Sequence, residues 1–222
     1  MTQWPFVPLE FTRLPADEMQ QASEEFLGRI KSRRTVREFS DQPVSRSIIR
    51  NAILAAGSAP SGANMQPWHF AAVANQELKS QIRVAAEQEE KELYEHRASD
   101  EWLKALEPLG TNEHKPFLET APWLITVFLK KFSFDEQGNR YKNYYTVESV
   151  GIACGFLLAA LHWAGLATLT HTPSPMKFLN ELLDRPPTER AYMLIVTGYP
   201  AEDATVPVIS KGTLENISTF KT

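Results

Sequence analysis

Cysteine is almost missing from this chain. Cys154 is the one thiol among 222 residues, so no disulfide can close within the chain; the redox compartment is left open, with a reducing one the more natural. Cys154 lies in an apolar run over residues 150–160, where a thiol serves better as a small buried hydrophobe than as a nucleophile. A surplus of positive charge is missing too. The net charge of −4 argues against a nucleic-acid partner or an anionic membrane. The five histidines do not cluster at the spacing of metal ligands, and no zinc site is expected. No apolar stretch approaches the roughly 20 residues of a membrane span. The opening Met1-Thr-Gln-Trp-Pro-Phe is too short and too polar for a secretory signal, so the expected location is cytoplasmic. No glycine-rich phosphate loop of the dinucleotide or nucleoside-triphosphatase type follows a strand.

What is present is an ordinary globular balance, 43% hydrophobic and 23% charged, enough for one well-buried core in a single domain spanning 1–222. Three prolines in residues 1–15 (Pro5, Pro8, Pro15) read as an extended arm. Helical periodicity runs over 16–32, with Met19, Ala22, Phe26 and Ile30 on one stripe, and again over 45–57. Residues 68–73 and 124–129 read as strands, 132–140 as a turn around Gly138, and 143–164 as the longest apolar helix. Residues 76–96 form a highly charged stretch, the usual mark of a solvated helix face. A short strand at 166–170, a helix at 176–183 and a last strand at 193–197 follow. From 201 to 222 no periodicity is strong, and an arm is expected. Helices and strands mix without strict alternation, which gives the α+β class.

Two clusters could carry chemistry. In Arg33-Arg34-Thr35-Val36-Arg37 three guanidinium groups within five residues repel one another until an anion or carboxylates neutralise them. A phosphate would suit their planar, two-pronged donors; on composition alone, a solvated patch or local salt bridges is the commoner explanation. In Ala59-Pro60-Ser61-Gly62-Ala63-Asn64-Met65-Gln66-Pro67-Trp68, polar side chains surround a glycine that lets backbone approach a ligand. A plain surface loop would have the same composition.

Together, at this spacing, the two motifs resemble the opening of the nitroreductase superfamily of FMN-dependent flavoproteins. The likeness continues through the helix at 143–164 and Gly198-Tyr199-Pro200, covering about residues 25–211. Within that superfamily the chain is similar to the iodotyrosine deiodinases, through Glu89-Glu90-Lys91-Glu92-Leu93-Tyr94 and Thr111-Asn112-Glu113-His114-Lys115. The resemblance implies a nitroreductase-like α/β sandwich, a domain-exchanged homodimer, and two FMN sites built across its interface. It implies a lid at about 87–116 in which Glu90, Tyr94 and Lys115 read the ammonium and carboxylate of a halotyrosine.

By the same resemblance Arg33, Arg34, Thr35, Val36 and Arg37 hold the FMN phosphate end, joined by Ser61 and Gly62 from the partner subunit. Thr170, His171 and Thr172 lie beside the flavin, Thr172 donating to its N5 and favouring one-electron steps. The Ala63 N–H would bind the phenolate oxygen and favour the keto form from which halide leaves. Two places depart from the pattern. Lys211 stands where the family has a phosphate-binding arginine, keeping the charge and losing the fork; Asn64-Met65 stand where the deiodinases usually differ. The implied activity is reductive dehalogenation of halotyrosines, with electrons from NAD(P)H or a separate reductase. The alternatives are a broad nitroreductase or quinone reductase acting on nitro- or halophenols, an oxygen-dependent flavin-cleaving enzyme, and a non-catalytic flavin or halotyrosine binder.

Overall fold

The computed structural model describes residues 5–221; the outermost parts of the two expected arms, residues 1–4 and 222, lie outside the described residues. The chain divides into two compact units, up to Arg33 and from Arg34 onward. In the first, residues 5–15 have no regular structure and lead into α1 (Ala16–Ser32). Asp17 and Glu18 in its first turn and Arg29 and Lys31 in its last complement the helix dipole. The helix has no buried residue; Met19, Phe26 and Leu27 are about half exposed.

In the second unit the elements follow as α2 (Arg46–Gly57), β1 (Trp68–Val73), α3 (Gln76–Glu92), α4 (Asp100–Leu106), α5 (Phe117–Thr120) and β2 (Trp123–Lys130). Then come β3 (Phe132–Phe134), β4 (Arg140–Lys142), α6 (Thr146–Trp163), β5 (Ala167–His171), α7 (Lys177–Leu182), β6 (Glu189–Gly198) and α8 (Leu214–Ile217). The main sheet has order β1-β2-β6-β5, with every neighbouring pair antiparallel. The strand β2 is buried along nearly its whole length, which is why it reads as continuous apolar sequence. Its alternate residues feed two different cores. Ile125, Val127 and Leu129 pack with α2 and α6; Leu124 and Phe128 pack with α3, α5 and α7. The sheet therefore lies between two helical layers.

Three expectations need correcting. Residues 132–140 are not a simple turn but most of the hairpin β3–β4, closed by the Asp135 carboxylate accepting the Gln137 and Asn139 N–H groups. The apolar helix α6 reaches 18 residues with a mean hydropathy of 1.4, enough by length and composition to cross a membrane. Its face of Val150, Ala153, Cys154, Leu157 and Leu161 is instead buried against α2 and the sheet, as in a core helix. Burial there pushes the Cys154 thiol up to about 12, so it is inert. The third correction is α3: its charged sequence is not uniformly solvated, since Lys79 and Glu90 are buried.

Candidate functional site

The helix α3 starts where the Asn75 side chain accepts the Leu78 N–H at 2.8 Å, a side-chain cap on an otherwise unpaired donor. Ile82 and Ala86 bury one face in the core. Beside them, at spacings of four, four, three and four, run Lys79, Arg83, Glu87, Glu90 and Tyr94, the helical repeat that puts side chains on one stripe. After Glu92 the coil widens into a π-helical turn, Leu93–Arg97, a rare form that recurs at functional sites. The chain passes through α4 and turns at Gly110 (φ 60°). It comes back along the stripe at Lys115.

There the predicted lid residues meet. Lys115 Nζ lies 3.0 Å from Glu90 Oε2, with the side chains only 3% and 9% exposed. The same ammonium donates to Thr111 Oγ1 at 3.3 Å and to the Asn112 carbonyl, and sits 5.7 Å from the centre of the Tyr94 ring. Tyr94 is hydrogen-bonded to Thr111; burial, helped by Glu90 and Glu113, holds its phenol above its ordinary pKa. Thr111 thus links two of the predicted lid residues; sequence reasoning placed it in the 111–115 segment without assigning it a role.

Next to this cluster, His171 ends β5 with its ring edge-on to Phe117 at 5.7 Å. It is 8% exposed, and its Nε2 has no partner among the described residues. Burial, then the charges of Lys115 and Arg37, push its pKa down to about 3. His171 is therefore neutral. Thr170 in β5 and Thr172 just beyond its end are exposed, while His171 between them is buried.

Among the arginines, neither Arg34 nor Arg37 is in an ion pair with any carboxylate among the described residues. The Arg34 guanidinium donates to the Pro207 carbonyl. Local salt bridges, the bland explanation for these two charges, are absent from the described residues. Thr35 bridges Thr168; the Val36 N–H donates to the Thr168 carbonyl at 3.2 Å while its side chain is buried. A cavity of about 390 Å³ is lined by Thr35, Arg37, Glu38, Gly110, Thr205 and Pro207, among others. The Glu38 carboxylate accepts the Thr205 N–H at 2.7 Å and its hydroxyl at 3.0 Å, which fixes one wall. Arg33 caps α1 at the end of the first unit, and Lys211 is exposed.

The loop at 61–66 is shaped differently. Ala63, Asn64 and Gln66 all take left-handed backbone angles, with φ of 49°, 54° and 47°, a conformation that costs energy for residues bearing a Cβ. Ser61 Oγ accepts the Gln66 N–H at 3.0 Å, and the Gly62 N–H donates to Ser149 Oγ at 3.4 Å, tying the loop to α6. A Cβ on Gly62 would stand 2.8 Å from Tyr145 Cδ2. Tyr145 is therefore by itself a reason for glycine at this position. The Ala63 N–H has no acceptor among the described residues and the residue is exposed.

These two groups of residues are not brought together within one chain. Ala59 and Trp68, flanking the loop, belong to the core of α2 and α6, whereas Val36, Phe117 and Leu169 belong to the core on the other face of the sheet. The residues present fit FMN: two guanidinium groups lack carboxylate partners, a cavity opens at Arg37, and the buried His171 Nε2 nearby is unpaired.

A model of the nitroreductase family matches residues 30–199. The iodotyrosine deiodinase of Haliscomenobacter hydrossis is 51% identical over 206 residues, covering 93% of each chain. That of Nematostella vectensis is 41% identical over 95% of this chain and 81% of its own. Among solved structures, oxidized iodotyrosine deiodinase bound to FMN and 3-iodo-L-tyrosine superposes with a TM-score of 0.74. It is 32% identical, over 88% of this chain and all of that one (100%). A BluB-like flavoprotein from Clostridium difficile 630, 22% identical with a TM-score of 0.69, shares the fold.

Proposed function

Since this chain belongs to the nitroreductase family and, within it, to the iodotyrosine deiodinases, we propose that its residues carry out FMN-dependent reductive removal of halide from halotyrosines as follows. FMN supplies, when bound and reduced, the two electrons that with a proton convert a carbon–halogen bond into carbon–hydrogen and free halide. Arg33, Arg34 and Arg37, aided by Thr35, Val36 and Lys211, hold its phosphate end. Ser61 and Gly62 reach it from a second copy, because they lie on the other face of the sheet from Arg37 in a single chain. The exposed apolar residues of α6, including Ile152 and Phe156, form part of that homodimer contact.

On the substrate, the Ala63 N–H, without an acceptor among the described residues and on an exposed residue, is the donor to the phenolate oxygen. Thr170, His171 and Thr172 border the flavin ring, and Thr172 donates to N5. The neutral His171 adds no charge there. Glu90 and Lys115 receive the ammonium and carboxylate, and Tyr94 covers them. Without substrate the two charges satisfy each other at 3.0 Å; a zwitterion replaces that one buried ion pair by two. NAD(P)H or a separate reductase restores the flavin, and the expected setting is the cytoplasm.

The observation that carries this reading is the buried Glu90–Lys115 pair beneath Tyr94. Its test is anaerobic: the FMN-loaded protein is reduced with dithionite, given 3-iodotyrosine, and assayed for free iodide. Iodide and tyrosine in equal amounts are expected. No iodide would contradict the activity, and equal release from iodophenol would favour the broader nitroreductase.

A further inference from the structure

The stripe on α3 has members that the activity just described does not use. Glu87 Oε1 accepts the backbone N–H of Lys115 at 2.6 Å, and the same oxygen receives Arg83 Nε at 2.8 Å. The other arm of Arg83 donates to Glu119 Oε2 at 2.7 Å. One turn earlier, Lys79 Nζ donates to the carbonyls of Glu119 and Ala121, both at 2.8 Å. Three successive turns of one helix thus hold residues 115–121. The other leg of the lid is held loosely: α4 has no buried residue, and Arg97 reaches back to Glu89 from an exposed position.

We propose that Glu87, braced by Arg83, is a positioning residue that fixes the backbone of Lys115, and with it the gap between the lid's positive and negative ends. This rests on Lys115 being the carboxylate partner. The argument is geometric. Glu90 stands three residues beyond Glu87 on the same rigid helix, so a bond from Glu87 to the main chain of Lys115 sets where the lysine stands relative to Glu90. That separation decides whether an α-amino acid, with its charges two carbons apart, bridges the pair. Burial works to raise the Glu87 carboxyl, but the Lys115 N–H, the Arg83 guanidinium and the charge of His114 together outweigh it and hold it below its ordinary value. Ionised acceptors make bonds about twice as strong as neutral ones, which suits a fixed anchor.

The test compares halotyrosine with a halophenol lacking the amino-acid end, so that the phenol serves as internal reference. In Glu87→Ala the KM for iodotyrosine rises about tenfold (about 1.4 kcal/mol) at nearly constant kcat, while the halophenol KM stays put. Glu87→Gln keeps an oxygen for the Lys115 N–H without the charge, and its loss is about threefold. A halotyrosine-to-halophenol ratio equal to that of wild type, even with a lowered Tm, overturns the proposal and leaves Glu87 a structural brace. Should Glu87→Ala not fold, Arg83→Lys, which keeps one charge but not both arms, reads the same ratio; about a threefold fall supports the proposal, and no fall overturns it. Iodide release by the wild-type protein is measured alongside, so failure of the activity is distinguished from failure of this role.

Discussion

The proposed lid and the 61–66 loop are held in place by different kinds of interaction on opposite faces of the sheet. On the loop side the backbone itself is strained, with three non-glycine residues at positive φ, and Tyr145 occupies the space beside Gly62. On the lid side the backbone is mostly regular helix, and the ordering comes from charge: Lys79, Arg83, Glu87, Glu90 and Lys115 form a connected series. A donor aimed at a single phenolate oxygen needs one fixed N–H, which strained backbone supplies without adding charge. Reading a zwitterion needs two opposite charges kept out of water, which only paired side chains can supply. The loop should therefore respond to changes of shape, and the lid to changes of charge.

The largest expected effect follows from the charge side. Lys115→Ala removes the proposed carboxylate partner and strands the buried Glu90. Losing one member of such a pair costs about 2–5 kcal/mol, so halotyrosine binding, read by flavin absorbance, falls about 30-fold or more at unchanged FMN content. A fall in FMN content instead would place Lys115 with the cofactor and break the division between lid and loop.

The corresponding change of shape is Gly62→Ala. The new methyl meets Tyr145 at 2.8 Å, an overpacking that costs about 1–3 kcal/mol and lowers Tm in a calorimeter. Adding Tyr145→Ala restores room and recovers part of the loss relative to the Tyr145→Ala parent. If Gly62→Ala alone leaves Tm unchanged, the loop is looser than its contacts imply.

A pH experiment sharpens the lid side. The folded state keeps His171 neutral down to about 3, while the unfolded chain binds a proton near 6.5. Between those values the unfolded state carries more protons, so stability is full above about pH 6.5 and falls by up to about 1.4 kcal/mol per unit as pH drops. His69, also lowered by burial, adds with the same sign. Lowered carboxylates such as Glu87 and Glu119 join only nearer pH 4.5, so the window from 4.5 to 6.5 belongs to the histidines. Denaturant titrations of His171→Gln should show a shallower slope there, and an identical slope would remove His171 from this account. The smallest effect is expected at Thr172→Ala, where one hydrogen bond of about 0.5–1.5 kcal/mol is at stake; kcat drops a few-fold at constant KM, and an unchanged kcat excludes Thr172 from electron delivery.

The candidate site was more legible in the sequence than its supports. Arg34, Arg37, the 59–68 segment, Glu90, Tyr94 and Lys115 stand out because they form short motifs, and their spacing on a helix puts Glu90 and Tyr94 on one face. The Glu87–Lys115 anchor was not legible, since it joins a side chain to a backbone N–H 28 residues away and any residue type supplies that N–H. Gly62 stands out within its turn-rich segment, but its contact with Tyr145 was not legible, because Tyr145 comes from a distant helix end. The charged face of α3 looked solvated because single-sequence patterning cannot see the returning segment that covers Lys79 and Glu90. Of the fold, β2 and α6 were visible through their apolar runs, whereas the β3–β4 hairpin and the short α4 and α5 lack the length for periodicity to show.

The most direct measurement is a pair of titrations on one FMN-loaded sample, with 3-iodotyrosine and with 2-iodophenol, followed by flavin absorbance. If Glu90 and Lys115 read the amino-acid end, iodotyrosine binds about 100-fold more tightly or better, a difference of about 2.7 kcal/mol or more. Equal affinity for the two ligands would contradict that central claim.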